Sequence, residues 1–110
     1  AIAVMMFAVA GHAGKAEAAF LTGSDLLELC ESDSAVDRNV CIGYAIGIVD
    51  VTATYVAGGT LNELFCMPDG AGTIQLKKVV IKELNAEPED LHISAASSVV
   101  MALHRAFPCD

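Results

Sequence analysis

The sequence predicts a small all-α domain of about four helices, fastened by two disulfide bonds. Three observations support this prediction. Four segments carry apolar residues at helical spacing or over helical length, no repeat or internal linker divides the chain, and the cysteines form an even set of four. Small secreted domains commonly use disulfides to stabilise a core that would otherwise be marginal.

Residues 1–18 have the pattern of a secretory signal peptide. An apolar run covers residues 1–10 and residues 16–18 form an A-x-A cleavage site, although the basic n-region and initiator methionine are missing from this sequence. The run is shorter than the roughly 20 apolar residues that span a bilayer. Cleavage here would leave residues 19–110 as one domain. Cleavage after Ala13 is a second choice, and an amphipathic N-terminal helix of the mature protein is the alternative.

Charge and cysteine content narrow the class of protein. The 6 basic and 14 acidic residues give a formal net charge of −8. This charge disfavours binding to nucleic acid or anionic lipid and favours a basic partner. The alternative is that it serves only to keep the protein soluble. An exported chain reaches an oxidising compartment, so two disulfides are expected. A zinc site is a poorer explanation of the four cysteines than two disulfides, because no C-x-x-C spacing occurs and no histidine lies close to a cysteine pair. The cysteines are Cys30, Cys41, Cys66 and Cys109.

The first predicted helix lies within LTGSDLLELCES, residues 21–32. Thr22 or Ser24 suits its N-cap, because a hydroxyl oxygen accepts from the first-turn N–H groups, and the acidic Asp25 suits the positive end of the helix dipole. The next stretch, ESDSAVDR at residues 31–38, is acidic and has no apolar period. We therefore predict an exposed loop there.

The second predicted helix covers the apolar stretch 39–59. Its β-branched residues also suit a buried strand, but the length without an internal turn signal and the double glycine at its end favour a helix. Gly43 and Gly47 share one helical face, where we expect a tight crossing inside the core together with Tyr44; a dimer contact through this face is the alternative. Asp50 interrupts the apolar run and is expected to be solvated rather than part of a subunit contact.

Two more helices are predicted in the C-terminal half. Thr73 suits the N-cap of the third, which ends before Pro88; Pro88 fits the first turn of the fourth helix, and Pro108 ends that one. Because only a short turn joins them, we expect the two helices to lie antiparallel, with the end of the fourth beside the start of the third. The fourth carries apolar residues at i+4 spacing, namely Leu91, Ala95, Val99, Leu103 and Phe107.

This arrangement favours one of the three pairings that four cysteines allow, and the sequence leaves the other two open. Cys66 precedes the third helix and Cys109 follows the fourth, so a bond between them would hold the C-terminal tail against the preceding loop. Cys30 and Cys41 would then close the first helix hairpin. On loop-entropy arithmetic the shorter and longer loops would contribute roughly 3 and 4 kcal/mol to the free energy of unfolding.

No catalytic or metal-binding constellation stands out in the sequence. His92 and His104 are twelve residues apart, which places them about 120° apart around a helix rather than on one face. The serines at positions 94, 97 and 98 lack a G-x-S-x-G elbow, and the carboxylates are spread over loops and helix faces. We therefore expect an exported binding or structural module that is not an enzyme and uses no cofactor or metal.

Several stretches resemble the Tai-like immunity proteins of type VI secretion systems. They are TGSDLLELCES, CIGYAIGIVD, CMPDGAGTIQLKKVVIKELNAEPEDLH and the AL of VMALHRAFPC. The similarity covers residues 20–109 and includes the order and spacing of the cysteines. Its sharpest parts are C-x-P-x-G at residues 66–70, x-P-E-x-L-H at residues 87–92 and the terminal A-F-P-C.

The resemblance implies a periplasmic, disulfide-linked helical protein, commonly a homodimer, that binds a peptidoglycan amidase delivered by a neighbouring cell and covers its cysteine–histidine active site. Blocking by a loop that disulfides hold in shape would lower the ordering cost of binding. We expect the contacts in the two loops that the disulfides frame, although these are equally well ordinary solvated loops. The candidate contact residues are Asp33, Asp37, Asn62, Glu63 and Asp69.

Other functions compete with this one. An acid-stress chaperone of the small periplasmic helical type would expose apolar surface near about pH 2 to 3, as its carboxylates become protonated. Another small exported binding module is a further alternative. A small secreted hydrolase is disfavoured because the sequence offers no catalytic constellation.

Overall fold

Four α-helices and one 3₁₀ turn make up residues 19–110, the part of the chain that the computed structural model describes. Within this part no β-strand forms, and a single antiparallel bridge joins Thr22 to Ser94. The predicted all-α class is therefore confirmed. The predicted signal peptide, residues 1–18, lies outside the described residues. The helices are α1 (Gly23–Glu31), α2 (Ala35–Ala57), α3 (Thr73–Ala86) and α4 (Ala95–Ala106), with the 3₁₀ turn at Pro88–Asp90.

Hydroxyl caps start α1 and α2. Thr22, rather than Ser24, caps α1: its Oγ1 accepts from the Asp25 N–H at 3.1 Å while the Asp25 carboxylate accepts from the Thr22 N–H at 3.0 Å. Ser34 caps α2 by accepting from the Asp37 N–H. The predicted loop at residues 31–38 was thus too long, because a serine cap followed by a first-turn acid starts α2 four residues earlier than the apolar period indicated.

The predicted fourth helix was wrong in its first part. Pro88 does open a short 3₁₀ turn, but residues 91–94 are not helical and α4 begins at Ala95, capped by Ser94. The reason is a contact distant in sequence: the first N–H groups of α1, on Gly23 and Ser24, donate to the carbonyls of Ile93 and Leu91 at 2.9 Å. These N–H groups have no partner inside α1, and the irregular link supplies one.

The end of α4 lies elsewhere than predicted. Arg105, in the last turn of α4, donates to the carboxylate of Glu83 at 3.0 Å and to its backbone carbonyl at 3.3 Å. Glu83 itself lies near the end of α3, so the two C-terminal turns are neighbours. The prediction placed the end of α4 beside the start of α3, about 20 Å away at the other end of that helix. That part of the predicted arrangement was wrong.

Both predicted disulfides are confirmed. Cys30–Cys41 joins α1 to α2 with a Cα–Cα distance of 4.9 Å, and Cys66–Cys109 joins the α2–α3 connection to the C-terminal tail at 5.1 Å. All four helices contribute to one apolar core. Its buried members are Leu26, Cys30, Cys41, Ala45, Phe65, Leu76, Val80, Leu84, Ala95, Val99 and Leu103.

The glycine face of α2 is not in the core. Gly43 and Gly47 are exposed, and a Cβ atom added at either would have no neighbour within 4 Å, so the predicted tight crossing inside the core was wrong. The helix period instead turns Cys41 and Ala45 inward. Tyr44 does pack against the core, and this burial raises the pKa of its phenol.

Candidate partner-binding surfaces

The five candidate contact residues lie near opposite ends of α2. Asp33 and Asp37 flank its N-terminus, whereas Glu63 lies in a cleft beside Ala53 and Val56 in its C-terminal half. At 1.5 Å per residue, the sixteen residues from Asp37 to Ala53 cover about 24 Å. The structure therefore places the candidates in two separate groups.

The first group borders an acidic groove between α1 and the start of α2. The groove has a volume of about 680 Å³, and Leu21 and Leu29 line it together with the carboxylates of Asp25, Glu28 and Asp37. The Asp37 carboxylate accepts from the Ser32 hydroxyl at 2.8 Å, so it also supports the α1–α2 connection.

The other acid of this group, Asp33, is exposed in the short connection between α1 and α2. The nearby Arg38 guanidinium donates to the Ser32 carbonyl at 2.9 Å. The connection that carries Asp33 is thus fixed by local hydrogen bonds and by the adjacent Cys30–Cys41 bond.

The second group belongs to the connection from α2 to α3. Its residues 61–67 adopt neither helix nor strand, and three links hold them to the C-terminal part of the chain. Cys66 forms the disulfide with Cys109, its N–H donates to the Phe107 carbonyl at 2.8 Å, and Nδ1 of His104 donates to the Leu64 carbonyl at 2.8 Å. The Phe65 side chain is buried in the core. We call residues 61–67 the pinned segment.

The candidates in this connection are exposed. Asn62 and Glu63 lie in the pinned segment, and the Glu63 carboxylate is 3.6 Å from Sγ of Cys66. Asp69 follows in a turn closed by the bond from the Ala71 N–H to the Pro68 carbonyl at 3.2 Å. Three carboxylate or amide side chains thus project from a part of the chain whose backbone is held by its neighbours.

Glu63, Cys66 and Cys109 bring an oxygen and two sulfur atoms within 4.8 Å of one another. The two sulfurs are bonded to each other, so neither is a thiolate, the form in which cysteine binds zinc. In the oxidised protein this cluster offers only the carboxylate as a metal ligand.

The histidines and serines noted in the sequence make structural hydrogen bonds. His104 holds the pinned segment, and His92 bonds the Glu89 carbonyl at 2.9 Å. Ser94 is the N-cap of α4, and the buried Ser98 directs its hydroxyl toward the Asp90 carbonyl at 3.5 Å. These contacts account for the four side chains through helix capping and loop attachment.

The outward side of α2 is apolar and has no covering element among the described residues. Val36, Val40 and Val51 are 71, 46 and 45% exposed and share a face with Gly43 and Gly47. By length and composition alone α2 would suffice to cross a membrane. Its opposite side carries the core residues Cys41 and Ala45 and is tied to α1 by Cys30–Cys41. We call the exposed side with the three valines and the two glycines the outer face of α2.

Comparison with known proteins identifies the family. The model of the Rap1a immunity proteins matches residues 22–109, which is most of the chain. The chain belongs to the Rap1a immunity protein family. No curated protein matches it.

Family membership gives the coarse function. Rap1a immunity proteins are inhibitors rather than enzymes, and membership implies that this protein binds a cognate secreted effector. The predicted class of immunity protein is confirmed at this level. The two disulfides are compatible with an exported location.

Sequence reasoning missed one surface of this Rap1a protein and gave a second only as an alternative. The cleft beside Glu63 joins residues from α2 with residues of the pinned segment, and no local pattern relates them. The outer face of α2 appeared only as the alternative of a dimer contact through Gly43 and Gly47, because the glycine face was assigned to the core. A further signal was available, since valines at positions 36, 40 and 51 recur on the side of the glycines.

Proposed function

We propose that this protein is a periplasmic immunity protein that binds a peptidoglycan amidase delivered by a type VI secretion system and covers its active site. The observation that carries the proposal is the family match over residues 22–109. The resemblance of the stretches around the four cysteines to Tai-like proteins supports the amidase as the target. The disulfides support the periplasm, since such bonds persist in oxidising compartments.

The pinned segment and the turn that follows it are the proposed blocking element. Asn62, Glu63 and Asp69 are exposed there, while the disulfide to Cys109 and the bond to Phe107 fix the backbone. A segment that is already ordered loses less conformational entropy when it enters another protein's active-site groove.

Asp33 and Asp37 supply a second contact in this proposal. An interface of ordinary size buries about 800 Å² on each partner, which corresponds to a patch about 28 Å across. That is comparable with the separation of about 24 Å along α2 between the two groups. The sixteen residues also place Asp37 and Ala53 about 160° apart around the helix, so an amidase that contacts both groups would have to extend around α2 as well as along it.

We also propose that the protein is a homodimer formed through the outer face of α2. Glycines at positions 43 and 47 would let two copies of the helix approach closely, and Val36, Val40 and Val51 would be buried around the crossing. A twofold axis makes one surface serve both copies, so a single apolar face suffices. Asp50, exposed beside this face, would lie at its solvated edge.

The proposal is tested by titrating the oxidised protein into purified type VI amidases, with heat of binding and peptidoglycan cleavage as readouts. We expect tight binding to at least one amidase class and loss of its cleavage at stoichiometric inhibitor. Binding without loss of cleavage would refute active-site coverage. Absence of binding across the amidase classes would refute the amidase as target.

A further inference from the structure

A cleft separates the C-terminal half of α2 from the pinned segment. Its volume is about 380 Å³, and Ala53 and Val56 of α2 face Leu64 and Met67 across it. Glu63 provides a carboxylate at the same cleft. Ligand pockets in proteins begin at about 300 Å³, so this cleft is suited to one or two side chains rather than to a large cofactor.

The backbone of the pinned segment is bonded on one side. The Leu64 carbonyl accepts from His104 and the Cys66 N–H donates to Phe107, so both groups point toward the end of α4. These two bonds, together with the Cys66–Cys109 disulfide, hold the pinned segment against the C-terminal part of the chain.

The pinned segment also has unused hydrogen-bonding groups. Within residues 19–110, the backbone N–H and C=O groups of Glu63, Phe65 and Met67 have no hydrogen-bond partner in the protein. Free backbone donors and acceptors of this kind can pair with the backbone of a bound chain. The cleft thus combines an apolar space, a carboxylate and neighbouring backbone groups without a partner.

We propose that this cleft binds a segment of the secreted effector, with an apolar side chain between α2 and the pinned segment and a lysine or arginine beside Glu63. The identity of the partner rests on the proposed function; the chemistry of the segment rests on the cleft. The apolar walls favour an apolar inserted side chain, and the Glu63 carboxylate on an acidic protein favours a basic neighbour.

Two substitutions test the cleft without entering the core. Ala53 is exposed at the cleft wall, so Ala53→Trp fills the space from outside, and Glu63→Lys reverses the charge. The matched controls are Ala86→Trp, at an exposed alanine near the end of α3, and Glu89→Lys, at an exposed acid of the 3₁₀ turn. Circular dichroism and a count of free thiols verify that each variant is folded and oxidised.

The first readout is calorimetric titration against any amidase that binds the wild-type protein. We expect Ala53→Trp to raise Kd at least about tenfold, a typical cost for blocking an anchor site. Glu63→Lys should raise Kd and weaken its dependence on salt, because it removes an attractive charge. The controls should stay within about twofold, the size of a typical surface effect. Unchanged Kd for Ala53→Trp would overturn the cleft proposal while leaving the immunity function intact.

A second readout separates failure of the amidase proposal from failure of this one. If the wild-type protein binds no amidase, a displayed library of random linear peptides is selected on it, and the selected peptides are tested on Ala53→Trp and Ala86→Trp. We expect enrichment of an apolar residue next to lysine or arginine, with binding lost only on Ala53→Trp. No enrichment, or equal binding to Ala53→Trp, would refute the cleft as a peptide site.

Discussion

Removing the Cys66–Cys109 bond by a double substitution to alanine should weaken both the fold and the pinned segment. The bond closes a separation of 43 residues. With an entropy of −2.1 − 1.5R ln n in cal/mol/K, a loop of that length gives about 4 kcal/mol at 25 °C. Small domains have total stabilities of about 5 to 15 kcal/mol, so urea denaturation should show a large fall in midpoint.

Removal of the Cys66–Cys109 bond should loosen the backbone of the pinned segment more than that of the rest of the protein. Without the disulfide, the Cys66–Phe107 and His104–Leu64 hydrogen bonds remain, and each contributes only about 0.5 to 1.5 kcal/mol net. Those bonds do not replace the covalent link. Hydrogen exchange at residues 61–67 should therefore accelerate more than exchange in α1.

The matched control removes the other bond. Replacing Cys30 and Cys41 by alanine opens a separation of 11 residues, which costs about 3 kcal/mol on the same formula, plus packing loss because both sulfurs are buried. It leaves Cys66–Cys109 in place. Suppose that both double variants lose similar stability but hydrogen exchange at residues 61–67 accelerates only in the Cys66/Cys109 variant. The Cys66–Cys109 bond is then what holds the pinned segment in place. A loss below about 1 kcal/mol, or equal exchange in both variants, would refute it.

Two further substitutions probe glycines in opposite environments. Gly23→Ala should lower the free energy of unfolding in urea by about 1 to 3 kcal/mol. The new Cβ would lie 2.5 Å from Ser98 Oγ and 3.2 Å from the Leu91 Cα. An unchanged stability would contradict this close approach. Gly47→Trp should convert the proposed homodimer into a monomer in analytical ultracentrifugation while Ala86→Trp does not, because only the former blocks the outer face of α2. A wild-type protein that is monomeric at every concentration would contradict the dimer.

Local signals in the sequence predicted the elements and the disulfides. Apolar spacing located Ala95, Val99 and Leu103 in the core, and loop positions led to the pairing of Cys66 with Cys109. The pairing was correct although one premise behind it, that the end of α4 lies beside the start of α3, was wrong. The tail meets the pinned segment instead, where the Cys66 N–H donates to the Phe107 carbonyl and Cys66 is bonded to Cys109.

Contacts between distant residues explain the failures. The break at residues 91–94 exists because their carbonyls accept from the start of α1, and no window around Leu91 contains that information. Gly43 and Gly47 were assigned to the core because small and apolar residues on one helix face give the same sequence pattern in two cases. Such a face can pack inside its own domain or be exposed for contact with another protein, and these glycines are exposed. The five candidate contact residues lie in two separate groups because α2 is one unbroken helix of 23 residues between them.

The order of the cysteine pairs matters for how the protein matures. Each cysteine is bonded to its immediate neighbour in the chain, Cys30 to Cys41 and Cys66 to Cys109. A polypeptide that leaves a translocation channel N-terminus first would present its thiols in that sequence, so an oxidase that joins them as they emerge would produce the native bonds without a disulfide isomerase. The first N–H groups of α1 donate to the carbonyls of Leu91 and Ile93, which would emerge much later. The Cys30–Cys41 bond would therefore form before α1 has all of its hydrogen-bond partners.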